Sequence, residues 1–362
     1  MTISTQRDRT MTAPAPREDP PLPGSGRMKA DAGLRDRKEA LVANDSPESL
    51  PDGPDLELAR VRDHLLYLDP QGVRVGRILR DSIDQLLDGE HTGRYAWKSL
   101  YKTEKTHAGT IVEINLRRNF ALADGIEMDY SIQGIDVDCK FSQEFGGWMI
   151  PPEAVGHICL LVWANDELSR WSAGLLRVHA DLLRGGTNRD RKVQLKASSL
   201  ARITPLWFDA SLPENVLLHL EPGLRDRILI EGKQKGQARV NALFGLVQGK
   251  PIGRGVVRTA AQQSDYMARV RTGKGRARTV LRGQGIIIPG PFRNHQDIAR
   301  ALGAPVPGPG EFISLRVAKR REEHGDRPYV RLDSADWVLA DDNDPPETAP
   351  LLPDAQGPAA DN

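Results

Sequence analysis

Cysteine is scarce in this 362-residue chain, which has two, at positions 139 and 159. That scarcity excludes a disulfide framework and a Cys-rich zinc site, and it points to a reducing compartment. Long apolar runs are missing too. The longest, Ile158 to Trp163, is too short to span a bilayer. The opening stretch MTISTQRDRTMTAPAP contains no apolar segment, which excludes a secretory signal. These absences predict a soluble, cytoplasmic protein with no membrane partner. Neither sign of charge dominates, with 50 Lys+Arg against 49 Asp+Glu, so the chain is not basic throughout. The length suits two domains, or one domain with a smaller partner, and a core that needs no staples.

Charge becomes informative locally. Residues 1–54 carry eight prolines and no aromatic residue. Such a segment cannot bury enough apolar surface to offset its ordering entropy, and it reads as a disordered tail. Residues 341–362 hold six acids, five prolines and no base, which reads as an acidic disordered tail. Between them, residues 232–282 contain twelve Lys/Arg and a single acid, Asp265. A solvated face ordinarily mixes both signs, so this excess favours a polyanion, nucleic acid, as partner.

Periodicity divides the chain into an α/β half followed by a mainly helical half. Leu56 to Leu68 and Val75 to Leu87 have apolar residues at helical spacing. Asp88-Gly89 ends the second helix, with glycine suited to a left-handed cap. Thr106 to Phe120 reads as a third helix whose stripe is Ile111, Val112, Leu116 and Phe120. Met128 to Ile132 and Ile135 to Phe141 alternate apolar and polar residues around Gln133-Gly134, which predicts a β-hairpin. The apolar run His157 to Trp163 suits a strand buried on both faces, and Trp171 to His179 one more strand. The expected fold is an α/β sandwich, a mixed central sheet flanked by helices.

The hairpin also carries the chemistry. Alternation puts Ile135, Val137, Cys139 and Phe141 on one face, and Asp136, Asp138 and Lys140 on the other. Asp138 and Lys140 then project side by side, with Cα atoms roughly 6.5–7 Å apart. Asp129 on the partner strand points to the same side, and Glu113 lies on the preceding helix beside its apolar stripe. Three carboxylates repel unless a cation joins them, and an oxygen-rich site suits Mg²⁺. Such an ion lowers the pKa of water and neutralises charge developing on a phosphodiester. The lysine can orient the water, help deprotonate it, or offset charge in the transition state. The competing view of these residues is a solvated edge strand, with Glu113 and Arg117 an ordinary i,i+4 ion pair.

Glu113…Asp129…Asp138-Cys139-Lys140 resembles the PD-(D/E)xK nuclease motif. The stretches LYKTEKTHAGTIVEINLRRNF, VDCKFS and GGWMIPPEAVGHICLLVWA are similar to those of the NaeI-like type IIE restriction endonucleases. So are LLDGEHTGR upstream, and KGQARVNALFGLVQGKPIGRGVV and RTVLRGQGIIIPG downstream. The likeness covers roughly residues 55–318. It implies a restriction-endonuclease-like core and a homodimer that needs Mg²⁺ and cuts within GCCGGC to leave blunt ends. It also implies activation by a second copy of double-stranded DNA, and a cognate DNA methyltransferase as a genetic companion. Glu113, Asp129, Asp138 and Lys140 fall on the family's active-site positions, the three acids as metal ligands. Met128 stands where the motif's name has proline, and the long N-terminal tail has no family role. Leu86-Leu87-Asp88-Gly89 is similar to the Lys-x-Asp-Gly signature of nucleotide ligases. Leu86 takes the place of the lysine nucleophile, so ligation has no support, and Leu86 reads as a buried helix-end residue.

The basic half reads as a DNA-binding module. Gln237 to Gln248 is an amphipathic helix. Gly253 to Gln263 and Asp265 to Arg271 have helix-turn-helix spacing, with Ser264 placed to cap the second. Gly273 to Arg282 reads as a basic wing feeding the strand Gly285 to Ile288, and the resemblance implies a winged helix. Candidate DNA contacts are Lys250, Arg254, Arg258, Arg269, Arg271, Lys274, Arg276 and Arg278, as phosphate ligands rather than base readers. Arg94, Lys98, Lys102 and Lys105 are a basic run that suits either phosphates or solvent. His107 and His157 lack partners at zinc-ligand spacing. The expected boundaries are an endonuclease domain at 55–205, a linker at 206–214 and a winged-helix effector domain at 215–340. The alternative function is a sequence-specific DNA-binding regulator with an inert nuclease-like domain.

Overall fold

A computed structural model describes residues 54–186, 190–229 and 235–357. The N-terminal tail expected at 1–54 falls outside them, apart from Pro54. No described helix is long and apolar enough to cross a membrane.

The first half opens with helices α1 (Leu56–Leu68), α2 (Val73–Leu87), the short α3 (Gly89–Thr92) and α4 (Lys102–Phe120). Asp55 caps α1 by accepting the Leu58 N–H at 2.9 Å. Helix α4 starts four residues before the expected Thr106. Glu104 accepts the Tyr101 N–H at 2.7 Å and a fork of two 2.8 Å bonds from Arg94, so the polar first turn is held from outside the apolar stripe. Arg94 is therefore committed to the helix start rather than to a phosphate.

Strands β1 (Ala123–Asp124), β2 (Tyr130–Ile132), β3 (Ile135–Ser142), β5 (Ile158–Asn165), β6 (Arg170–Arg177) and β8 (Thr204–Ser211) form one mixed sheet in the order β1-β2-β3-β5-β6-β8. The small pair β4 (Met149–Ile150) and β7 (Val193–Gln194) lies beside it. The predicted hairpin is present, with Ile132 opposite Ile135. Gln133 and Gly134 both take positive φ, 54° and 76°, as a two-residue turn between right-twisted strands requires. β3 runs parallel to β5, with Asp138 beside Cys159, and the other pairings are antiparallel. β5 is buried from Ile158 to Ala164, as the continuous apolar run predicts.

Among the described residues, α-helices cover one face only. α1, α2 and α4 pack on Ile135, Val137, Cys139, Leu160 and Val162. The other face is covered by loops, short 3-10 turns and the β4–β7 pair, which bury Phe145, Trp148, Trp163 and Leu176, so the sandwich has α-helices on one side only among the described residues. The linker expected at 206–214 is also corrected, because residues 206–211 belong to β8. Trp207 packs into the helical core there, 5.7 Å from the Trp171 ring centroid. Pro205, Asp209 and a bulged register against β6 disguise this edge strand in the sequence.

The second half has helices α5 (Val216–His219), α6 (Pro222–Leu229), α7 (Gly236–Leu246), α8 (Arg254–Ala261), α9 (Tyr266–Val270), α10 (Ala277–Arg282) and α11 (Arg293–Ala301). It is less helical than predicted. Strands β10 (Ile286–Ile287), β12 (Leu315–Lys319), β14 (Ala335–Leu339) and β13 (Tyr329–Leu332) form a four-stranded sheet in that order. β9 (Pro251–Gly253) pairs with β11 (Glu311–Ile313). The stretch expected as a basic wing instead ends in α10, whose Ala277 and Leu281 are buried. Ser264 does not cap α9, whose N-cap is Asp265. Nor are residues 341–357 a loose tail. Ala349 is buried, Arg282 donates to its carbonyl at 2.8 Å, and His295 bonds the Pro353 carbonyl at 2.9 Å.

The halves meet where α3 lies on α8. The left-handed cap of α2 is Asp88, φ 47°, not Gly89 as expected. Gly89 is needed for a different reason: a Cβ there would come within 1.9 Å of the Thr259 hydroxyl on α8. Gly255 on α8 is similarly pressed against the Asp84 carboxylate. Leu86 is buried at the end of α2, as read from the sequence.

Candidate active site

The predicted acidic cluster forms where β2 and β3 part. β2 stops at Tyr130, opposite Val137, so the next edge N–H of β3 lacks a strand partner. Asp129, just before β2 rather than within it, supplies one: its carboxylate accepts the Cys139 N–H at 2.7 Å. Asp138 projects from the opposite face of β3 to Cys139. Its side chain is 6% exposed and accepts from the Lys140 ammonium at 2.5 Å, while the Cys159 thiol donates to its other oxygen at 3.4 Å. The Lys140 ammonium also lies 3.9 Å from Asp129.

Electrostatics join Glu113 to this group. Burial raises its carboxyl above the ordinary range, Asp129 and Asp138 push the same way, and Arg117 and Lys140 oppose them. Asp138 is likewise raised by burial, against the pull of Lys140. Burial alone would lower the Lys140 ammonium, but the charge and hydrogen bond of Asp138, with Asp129, raise it. The Lys140 ammonium thus lies between Asp138 and Asp129.

Two further residues shape the cluster. Asp136 shares a face with Asp138 but turns its carboxylate to the loop before Asp129. It accepts the Ile126 and Glu127 N–H groups at 3.0 and 2.7 Å, which lower its pKa. Arg117 donates to the Asp129 carbonyl at 2.5 Å. In the sequence its only visible signal was the i,i+4 spacing from Glu113, which suggests a local pair.

An all-oxygen donor set with one nearly buried carboxylate suits a hard divalent cation. Among the described residues, the group of three candidate ligands that closes to within 4.8 Å is Glu323, His324 and Asp344, so the oxygens of Glu113, Asp129 and Asp138 are spread wider. That spread is compatible with Mg²⁺, which keeps several waters and binds through few carboxylates. The tighter group does not suit a metal. His324 uses one ring nitrogen on the Arg321 N–H and the other on Asp344, both at 2.9 Å, and it staples the C-terminal segment in place.

The candidate DNA contacts scatter. Lys250, Arg271 and Lys274 are exposed and Arg276 is half-buried beside the last two. Arg254 lines a cavity of about 460 Å³ between the halves, and none of the acidic cluster lines it. Arg258 faces Tyr266 and Glu90, 3.9 Å away. Arg269 is paired with Asp265 at 2.9 Å. Arg278 is largely buried, donates to the Ile288 carbonyl at 3.0 Å, and is lowered to about 10 by burial and Arg271. Arg258, Arg269 and Arg278, one each on α8, α9 and α10, thus engage groups of the protein itself, while Arg254 is exposed.

A mixed sheet with helices on one face, and an Asp-x-Lys strand beside a helix glutamate, is the architecture of a nuclease-like core. The chain belongs to the restriction endonuclease NaeI family, whose model matches residues 59–348. It is 48% identical over 305 residues to the type II restriction enzyme NaeI of Lentzea aerocolonigenes, covering 83% of this chain and 95% of that one.

Proposed function

We propose that the protein is a Mg²⁺-dependent type II restriction endonuclease of the IIE kind, which cuts both strands of DNA at a palindrome. The observation that carries this is the Asp129–Lys140–Asp138 constellation at the open edge of β3, with Glu113 coupled to it from α4. Glu113, Asp129 and Asp138 hold the Mg²⁺, directly or through its waters. When bound, that ion lowers the pKa of water and offsets charge on the phosphodiester. Lys140, kept protonated by its acidic neighbours, orients the attacking water and steadies the developing negative charge rather than acting as base. Water attacks phosphorus, the bond to the 3′ oxygen breaks, and the ends carry a 5′-phosphate and a 3′-hydroxyl.

The second half binds DNA through its basic turn and serves as the effector domain, a winged helix by resemblance. The functional unit is a homodimer holding substrate and effector duplexes. GCCGGC and blunt ends come with the resemblance alone. Purified protein is expected to linearise a plasmid that carries the site in Mg²⁺ and not in EDTA. Lys140→Ala, which removes a charge-stabilising donor, is expected to lower the cutting rate by at least about 10²-fold while a gel shift with the same duplex persists. Binding without cutting in the unaltered protein at any divalent ion would instead identify a regulator with an inert nuclease-like domain.

A further inference from the structure

We propose that Arg117 is a positioning residue that sets the spacing of Glu113 and Asp129, and through it the affinity of the acidic pocket for a divalent cation. This rests on the reading of that pocket as the metal-holding site. Arg117 lies one turn after Glu113 on α4, so a plain i,i+4 pair would need only the contact between them. At 3.7 Å, that contact is longer than the polar contacts Arg117 makes with Asp129 and Asp124. One terminal nitrogen donates to the Asp129 carbonyl at 2.5 Å, and the other pairs with Asp124 at the far end of the same loop. The guanidinium lies 5.7 Å from the Tyr130 ring centroid. The Tyr130 hydroxyl in turn donates to the Glu113 carbonyl at 2.9 Å.

Loop 125–129, which joins the paired strands β1 and β2, is thus tied on both flanks to a single turn of α4, and Asp136 holds its middle. The clamp fixes where Asp129 stands relative to Glu113, two groups contributed by different elements. Outer contacts of this kind ordinarily change metal affinity by ~10- to 100-fold when removed. The sign separates positioning from charge. A guanidinium beside Glu113 repels a divalent cation, so if Arg117 acted by charge alone, its removal would tighten binding. As a clamp, its removal loosens it.

The test titrates the full-length protein, without DNA, with Mn²⁺ while free Mn²⁺ is followed by electron paramagnetic resonance. Arg117→Met, similar in length and uncharged, is expected to raise the Kd by about tenfold, and Arg117→Lys is expected to recover part of the loss. Unchanged or tighter binding by Arg117→Met would overturn the proposal. Should Arg117→Met fail to fold, Asp124→Asn, which removes the outer arm of the clamp and leaves both acids in place, decides it. A weaker loss in the same direction supports the clamp, and an unchanged Kd removes it. Asp138→Asn serves as the separate arm: undiminished Mn²⁺ binding there would discard the metal-site reading itself, whatever Arg117 does.

Discussion

Asp84 shows how much a single side chain's surroundings decide. It sits in the crevice between the halves, 2.8 Å from Arg80 with its side chain 19% exposed, and Arg80 is itself committed to Asp166. Burial pushes the Asp84 carboxyl up to about 6, against the pull of Arg80 and with help from Asp166 and Asp81. Between 3.8 and about 6, the folded chain holds a proton that the unfolded chain has released. This group therefore lowers stability as pH rises through that window. Asp84→Asn is expected to remove that slope, while Arg80 keeps Asp166 as its partner. Denaturant midpoints of both proteins across the window check this, and a difference that does not change with pH would contradict it. The residue scale was only partly legible in the sequence. Asp138 and Lys140 could be read because strand alternation fixes their face. Arg117 and Asp136 could not, because their partners are backbone groups of a loop whose path only folding sets.

Among the elements, those with strong periodicity were readable and those held by distant contacts were not. The β2–β3 hairpin follows from period-2 alternation about Gln133-Gly134, and β5 from an unbroken apolar run. Residues 206–211 of β8 read as linker in the sequence because Pro205 and Asp209 interrupt the alternation. The α10 segment reads as a wing in the sequence because glycine and arginine crowd its start, while in the structure buried Ala277 and Leu281 anchor it as helix. The contact of α3 with α8 is the sharpest case. Gly89 looked like a helix cap, yet its lack of a side chain makes room for Thr259. Gly89→Ala is expected to cost about 1–3 kcal/mol by overpacking. The cost should be smaller on a Thr259→Ala background, and the coupling is read from a double-mutant cycle in denaturant. Equal costs in both backgrounds would mean that this contact does not order the interface.

At the scale of the whole molecule, a charge excess confined to one half of a nearly neutral chain is only partly exposed after folding. Arg271, Lys274 and Arg276 remain near solvent, while Arg258, Arg269 and Arg278 are engaged within the protein. Replacing those first three by alanine is expected to weaken DNA binding and lower the slope of log affinity against log salt by ~0.9 for each lost phosphate contact. Replacing Arg278 should leave the slope unchanged and lower stability instead. By itself the sequence determined the residue types, their alternation on β3 and the family, because these depend on local order along the chain. Only the tertiary structure decided which acids share a pocket, which cations reach solvent and which glycine lets the halves touch. Those outcomes depend on distances between segments far apart in the chain, and periodicity carries no record of such distances.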